Sequence, residues 1–418
     1  MTLDPVHFEG IAELARRIRY DVDESDHREF AETVWEDFLD PLVDGGRTVL
    51  EPVGEPTRHV APVEDVALTA SPFDTVHGLD SGTINPTTFT NGLVLDIAQA
   101  AMSASPSDLD LHRARTIVMT VHTNDATVDV NEDDWSKGDE GYIRSQIRHV
   151  PYVNRFVEGV VHALALYLAE SCHALAQAGK VDDLLVLDGP LYPKGLLRWA
   201  DRHPELAALL EEEDQPREVV SNYVELVETF VERDVPLVGF VKNPGSKVIT
   251  RTVRAKGGHA PWVDDAAFFG RILERGEVDG EGGYDRDTGV LTCTNWFRSR
   301  GGVDRVLSTD GDALGVDRKL DAAAYEVTFC AIYDPRDDIV YRLEAPYAFT
   351  KDEETREELR LFAMREVAGE SGPPRAVARA DEMARISRDE KAALRETLEE
   401  SFDARRDGEY DELRWGET

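Results

Sequence analysis

H-G-L-D-S-G-T, His77 to Thr83, is the stretch on which the reading of this chain turns. An apolar run-up, Val76 to Leu79, delivers one aspartate, Asp80, to what reads as the end of a buried strand. A carboxylate there is costly unless something pairs with it, and a bound cation is the usual partner. Ser81 to Thr88 behind it reads as a turn region.

Working outward, Phe89–Asp96 reads as a second strand and Arg115–His122 (R-T-I-V-M-T-V-H) as a third, strongly β-branched one. Strands so closely spaced predict an antiparallel meander. A long apolar-periodic helix follows, about Val153 to Ala178. After Gly179 comes D-L-L-V-L-D, Asp183 to Asp188, a short apolar strand closed by Gly189-Pro190. Helical sequence from Pro216, a residue suited to a first helical turn, to Arg233 leads into the buried strand Pro236 to Val241. Strand–helix–strand at this spacing is a parallel crossover. Meander, helix, then parallel strands is the order of an RNase H-like mixed α/β sheet flanked by helices, in which the first strand lies centrally beside the strand that follows the first helix. Ala324–Tyr333 and Ile339–Glu344 read as a late hairpin. The expected division is an N-terminal helical and irregular extension over 1–70, with residues 44–76 irregular, an RNase H-like α/β unit over 71–390, and a charged helix and tail over 391–418.

That order places Asp80 and Asp188 on neighbouring strand ends. The strand Asp183–Asp188 rises about 17 Å at about 3.3 Å per residue, and the preceding helix runs back along it at about 1.5 Å per residue. A helical residue level with Asp188 therefore lies about ten positions before Gly179, which selects Glu170; Glu158, about three turns earlier, is the alternative. Aspartate before a glycine is commonly only a turn former. Two of them, each ending an apolar strand, with a glutamate at matching depth, point instead to a carboxylate site for Mg²⁺ or Mn²⁺, of the kind that activates water in phosphodiester cleavage. Lys242, leaving the end of P-L-V-G-F-V-K, is placed to meet a phosphate at the same edge.

The composition qualifies the substrate. The 418 residues carry 83 acidic against 46 basic side chains, net −37, with only nine lysines. Such a lysine-poor, acidic composition resembles proteins of salt-in halophiles, where the Debye length is about 3 Å at molar salt and repulsion of a polyanion is screened. Acidity therefore does not exclude nucleic acid; it requires a local basic patch. The 29 residues between Asp234 and Asp264 hold no acid and carry Lys242, Lys247, Arg251, Arg254, Lys256 and His259. A second acid-free stretch, Gly141 to Val157, carries Arg144, Arg148, His149 and Arg155. Trp262 and Tyr347 are candidate stacking residues, though both also read as core. The three cysteines, Cys172, Cys293 and Cys330, are far apart and read as buried thiols rather than a disulfide framework. No run approaches twenty unbroken apolar residues and no secretory leader is read, so a cytoplasmic location is expected.

With these residues in place the chain resembles the NurA family of archaeal and bacterial nucleases. The resemblance rests on G-L-D-S-G (Gly78–Gly82), L-V-L-D-G-P-L (Leu185–Leu191) and L-V-G-F-V-K (Leu237–Lys242), with weaker echoes in Y-R-L-E-A-P (Tyr341–Pro346) and P-P-R-A-V-A-R-A-D-E (Pro373–Glu382). It implies an RNase H-like fold and a Mn²⁺ or Mg²⁺ site held by Asp80, Glu170 and Asp188, with Lys242 beside it. It also implies single-strand endonuclease and 5′-directed exonuclease activity, a homodimer, and a HerA-type hexameric ATPase partner in DNA end processing. In the late motif, where relatives read Tyr-Pro and then Ala-His, this chain has Pro373-Pro374 and Ala380-Asp381, so a histidine from that position is missing and His259 or His77 would have to substitute. Two rival readings remain: the D-x-G-T phosphate loop of actin-like ATPases and sugar kinases, and a non-catalytic DNA-end-binding subunit.

Overall fold

The computed structural model describes residues 5–17, 24–125, 128–131, 134–278, 284–308 and 314–407. Two helices open the chain, α1 (Pro5–Ala15) and α2 (Glu24–Phe38). The strands β1 (Arg47–Pro52), β2 (Val76–Thr83), β3 (Leu93–Ser105), β4 (Arg115–Thr123) and β5 (Ile143–His149) follow. Next come α3 (Val157–Gln177), β6 (Leu184–Asp188), α4 (Asp214–Glu232), β7 (Leu237–Val241) and α5 (Val248–Ala255). The chain then adds β8 (Phe297–Ser299), the hairpin β9 (Val327–Asp334) and β10 (Ile339–Pro346), and the helices α6 (Glu353–Glu370), α7 (Arg375–Ala384) and α8 (Arg388–Phe402).

The strands form one mixed sheet in the order β1-β8-β9-β10-β7-β6-β2-β3-β4-β5, with shorter strands joined to it. β2, β6 and β7 run parallel, while β2, β3 and β4 are the expected antiparallel meander. This is the RNase H-like arrangement, with β2 central and beside β6.

Alternate side chains of the central strands explain the layering. Leu79, Leu185, Leu187 and Leu237 pack under α3 and α4, whereas Leu184, Val186, Val238 and Phe240 pack under α6 and α7. Buried on both faces, such strands read as continuous apolar runs. Each fully buried Leu, Val or Phe contributes about 1.5–3 kcal/mol. By length and composition α3 is apolar enough to cross a membrane, but half of it is buried inside the protein, on β3, β4 and α4.

Several expectations change. Ser81-Gly82-Thr83 is not a turn: β2 continues through it, paired with Ala100, Gln99 and Ala98 of β3. The second strand is not Phe89–Asp96 but Leu93–Ser105, because its small residues fit beneath α7, where Ser103 Oγ donates to the Ala376 carbonyl at 2.5 Å. Alanine-rich sequence has little intrinsic strand preference, so that half was hidden. The irregular region holds strands at Arg47–Pro52 and Arg58–Pro62, each paired into the sheet. Residues 18–23 of the expected N-terminal extension and the tail beyond residue 407 lie outside the described residues.

Candidate active site

Leu187 of β6 stands level with Leu79 of β2, so one residue further on Asp188 lies beside Asp80, on strands about 4.8 Å apart. Both project to the same face. A methyl on Gly78 would lie 2.3 Å from the Ala376 carbonyl carbon, and one on Gly82 would lie 2.2 Å from the Ala384 oxygen. Asp80, halfway between these glycines, therefore also points at α7. Leu184 and Val186 face α6 and α7, and Asp188 shares their parity. Asp80 is only 9 % exposed. Its Oδ1 accepts from the Ser81 amide at 2.7 Å. Burial first, then the neighbouring Asp188 and Glu170 charges, push its carboxyl up to about 8. Asp188 Oδ2 accepts from Lys242 Nζ at 2.8 Å, an ammonium delivered by the end of β7. Two crowded acids, of which only Asp188 is paired with a lysine, form a donor set suited to a hard divalent cation.

Glu170 reaches the same edge from the other face. It stands on α3, where Ser81 Oγ donates to its Oε1 at 2.6 Å and Tyr223 OH to its Oε2 at 3.2 Å. Burial raises its carboxyl to about 7. Glu158 lies about 18 Å earlier along the helix axis and receives a long hydrogen bond from Thr88. The structure thus brings Glu170, not Glu158, to the aspartates. Among the described residues no three acid, histidine or cysteine side chains are already drawn into a metal cage. Asp80, Asp188 and Glu170 each have an oxygen held by a protein donor, with Glu170 behind the strand rather than on the aspartates' face.

Of the predicted basic residues, Lys242 is the one the structure pairs with the site, through Asp188. Lys247 and Arg251 are exposed on and before α5. Arg254 is occupied, donating to the Ala260 and Trp262 carbonyls at 3.0–3.1 Å, and Lys256 lies 5.5 Å from the Phe38 ring. α5 contributes Ile249 and Val253 to the cluster that also holds Leu50, Phe329, Ala331 and Tyr333, on the sheet face opposite Cys330 and Ile332. That is the face away from Asp80. In the second acid-free stretch, Arg144 donates to Thr116 and the Cys172 carbonyl and lies over Trp135, and Arg148 pairs with Glu218.

Trp262 is buried and stacked on Phe30, and Tyr347 lies under Arg298. His77 is buried, with its basicity lowered chiefly by that burial; His259 is exposed. Sequence reasoning missed Ser81, whose hydroxyl was legible only as part of a turn, and Tyr223, which reads as a core position of an amphipathic helix.

The kinase-like phosphate loop does not form. Ser81, Gly82 and Thr83 continue β2, and Gly82 lies against the α7 backbone, so no open glycine turn is left to cradle a phosphate.

Fold and edge together define an RNase H-like α/β protein with a carboxylate pair at the carboxyl ends of its central parallel strands. The NurA domain family matches residues 74–386, and the chain belongs to that family. Solved structures that resemble it are distant. The NurA nuclease of Sulfolobus solfataricus is 12% identical over 82% of this chain and 89% of that one, TM-score 0.44. A NurA structure with manganese is 11% identical over 82% and 95%, TM-score 0.42. One bound to dAMP and manganese is 10% identical over 96% and 98%, TM-score 0.37. No curated protein matches the sequence. The family assignment stands on the domain match.

Proposed function

We propose that the protein is a divalent-metal-dependent deoxyribonuclease acting on single strands and DNA ends, with Asp80, Asp188 and Glu170 holding Mn²⁺ or Mg²⁺. The observation that carries this is the adjacency of Asp80 and Asp188 on one face at the sheet edge, with Lys242 Nζ 2.8 Å from Asp188. A divalent ion bound there supplies the charge that activates water and steadies the leaving oxygen. Asp80 is nearly dry, and the Ser81 amide fixes its carboxylate plane through Oδ1. Ser81 Oγ and Tyr223 OH hold Glu170 in one orientation. Lys242 neutralises charge building on the scissile phosphate, the electrostatic help on which phosphoryl chemistry depends. Lys247 and Arg251 would guide more distant backbone.

The finer reading follows the family. It is 5′-directed exonuclease and single-strand endonuclease activity, a homodimer, a HerA-type ATPase partner, and a place in cytoplasmic DNA end processing. The test is cleavage of 5′-labelled single-stranded DNA at high KCl, with and without Mn²⁺, by the wild type and by Asp80→Asn. Mn²⁺-dependent cleavage lost in the variant supports the reading. A folded wild type that binds ends but never cleaves would leave a non-catalytic end-binding subunit in its place.

A further inference from the structure

The late motif P-P-R-A-V-A-R-A-D-E is not explained by the carboxylates, yet it forms α7, the helix that Asp80 and Asp188 face. α7 and β2 lie in register. Ala376 meets Gly78 and Ala384 meets Gly82, backbone against backbone. Eight helical residues rise about 12 Å and four strand residues about 13 Å, so helix and strand run side by side in the same direction and end at the same edge. The first residue past the helix is Arg385, whose Cα would lie 3.5 Å from a methyl on Gly82. Its side chain therefore starts from the edge one strand pair beyond Asp80.

Three features suit that guanidinium to an anion. Its side chain is 67% exposed and pairs with Asp381, one turn back, at 3.2 Å, with Asp381 itself 46% exposed. An ion pair so open to water is worth little and is readily exchanged. The end of α7 that reaches the edge is its carbonyl end, which carries partial negative charge, so backbone there repels a phosphate and a cation is needed to accept one. Finally, Lys242 already holds Asp188 within the sheet. The acid pair thus has one cation beside it, Lys242, and a second, Arg385, above it at the end of α7.

Arg379, in the middle of the helix, does not share this place. The buried stripe of α7 is Ala376, Val377, Ala380 and Ala384. At about 100° per residue, Arg379 leaves one flank of that stripe and Asp381 and Arg385 leave the other. Val377, on the latter flank, packs in the cluster that holds Val186 of β6 and Val238 of β7, so this is the flank toward Asp188.

We propose that Arg385 is a substrate-binding residue, a guanidinium that grips a backbone phosphate of the nucleic-acid strand next to the one cleaved, with Asp381 its partner when no strand is bound. The inference rests on the nuclease reading and moves the strand's path from the basic stretch of α5 to the α7 side of the sheet. Arginine suits the role because its planar fork binds phosphate oxygens in pairs.

The test is equilibrium binding of a fluorescein-labelled oligo-dT in Ca²⁺ across a KCl series. The variants are Arg385→Gln, Arg385→Lys, Asp381→Asn and Arg379→Gln, each checked for folding by circular dichroism. Arg385→Gln is expected to bind about five- to tenfold more weakly and to reduce the slope of log affinity against log salt by about 0.7, one single-strand phosphate contact. Arg385→Lys keeps the slope, Asp381→Asn binds more tightly than wild type, and Arg379→Gln stays within about twofold. The Mn²⁺-induced rise in melting temperature persists in Arg385→Gln, which separates strand binding from the metal site. Wild-type affinity and slope in Arg385→Gln overturn the inference, as does an equal loss in Arg379→Gln. If the folded wild type binds the oligonucleotide but never cleaves it in Mn²⁺, the nuclease reading itself fails, a result distinct from either of these.

Discussion

Ser81 Oγ donates to Glu170 Oε1 at 2.6 Å, joining the strand that carries Asp80 to a helix on the far face of the sheet. The two acids face opposite sides of β2, and this hydroxyl ties Glu170 to the edge. Ser81→Ala should therefore cost far more in metal affinity than in stability. Groups that orient a metal's ligands are commonly worth about 10–100-fold in affinity or rate. Mn²⁺ titration calorimetry is expected to show a loss in that range, with Ser81→Thr close to wild type. Unchanged affinity in Ser81→Ala would remove the hydroxyl from the site.

The turn reading of Ser81 fails for a physical reason. D-S-G-T has the composition of a turn, and nothing local says that Gly82 is needed for a helix far down the chain. The strand closing at Asp188 and the depth of Glu170 were legible, because apolar runs and fixed rises per residue are local quantities. Which face each acid takes was not, since it depends on Gly78 and Gly82 meeting α7. The acid-free stretch before Asp264 misled for a related reason. Arg254 is spent on the Ala260 and Trp262 carbonyls, and no sequence pattern distinguishes a cation used to fix a loop from one left for a ligand.

The Gly82 contact makes its own prediction. A methyl there would lie 2.2 Å from the Ala384 oxygen and 3.1 Å from its carbonyl carbon, both backbone atoms that cannot rotate away. Gly82→Ala should destabilise the protein by at least the ~1–3 kcal/mol typical of overpacking. It should also push the end of α7 off the edge, weakening Mn²⁺ and oligonucleotide binding together. Urea denaturation beside the binding assays checks this; a variant as stable as wild type would mean that α7 does not lie so close.

Behind the L-D-G-P-L loop sits a buried ionic group. Lys194 Nζ forms ion pairs with Asp304 Oδ1 at 2.7 Å and Glu344 Oε1 at 2.6 Å, and Arg342 forms ion pairs with the same two acids. Glu344 Oε2 also accepts from the Leu191 amide at 3.1 Å, which fixes the loop following Asp188. Burial alone would raise the Asp304 carboxyl, but Lys194 and Arg342 outweigh it and hold it at about 2. A depressed acid stabilises the fold above its unfolded value near 3.8, and that stability is lost as pH falls toward 2. Asp304→Asn is therefore expected to cost about 3–5 kcal/mol at neutral pH, where it leaves buried cations short of a partner. The cost should shrink as pH falls below about 4. Denaturation across the acid range up to neutral pH is the measurement, and a pH-independent penalty would contradict the assignment.

Asp80 gives the opposite sign. Its carboxyl is raised to about 8 by burial and by Asp188 and Glu170, so the folded protein holds a proton that the unfolded chain releases near pH 4. Without metal, ionising Asp80 is a growing penalty as pH climbs from about 4 to about 8, and stability falls over that window. Asp80→Asn removes the penalty. In EDTA the variant should be more stable than wild type at pH 8 by several kcal/mol, since each tenfold change in proton affinity is worth roughly 1.4 kcal/mol, and the gain should vanish near pH 4. Saturating Mn²⁺ reverses the order, since binding to the folded state alone stabilises it by mass action and the variant lacks a ligand. Melting curves of the two proteins at pH 4, 6 and 8, in EDTA and in Mn²⁺, decide it. A wild type that outlasts Asp80→Asn in EDTA at pH 8 would show that the edge is built for stability, whereas the crossed order is the mark of acids crowded together to hold a cation.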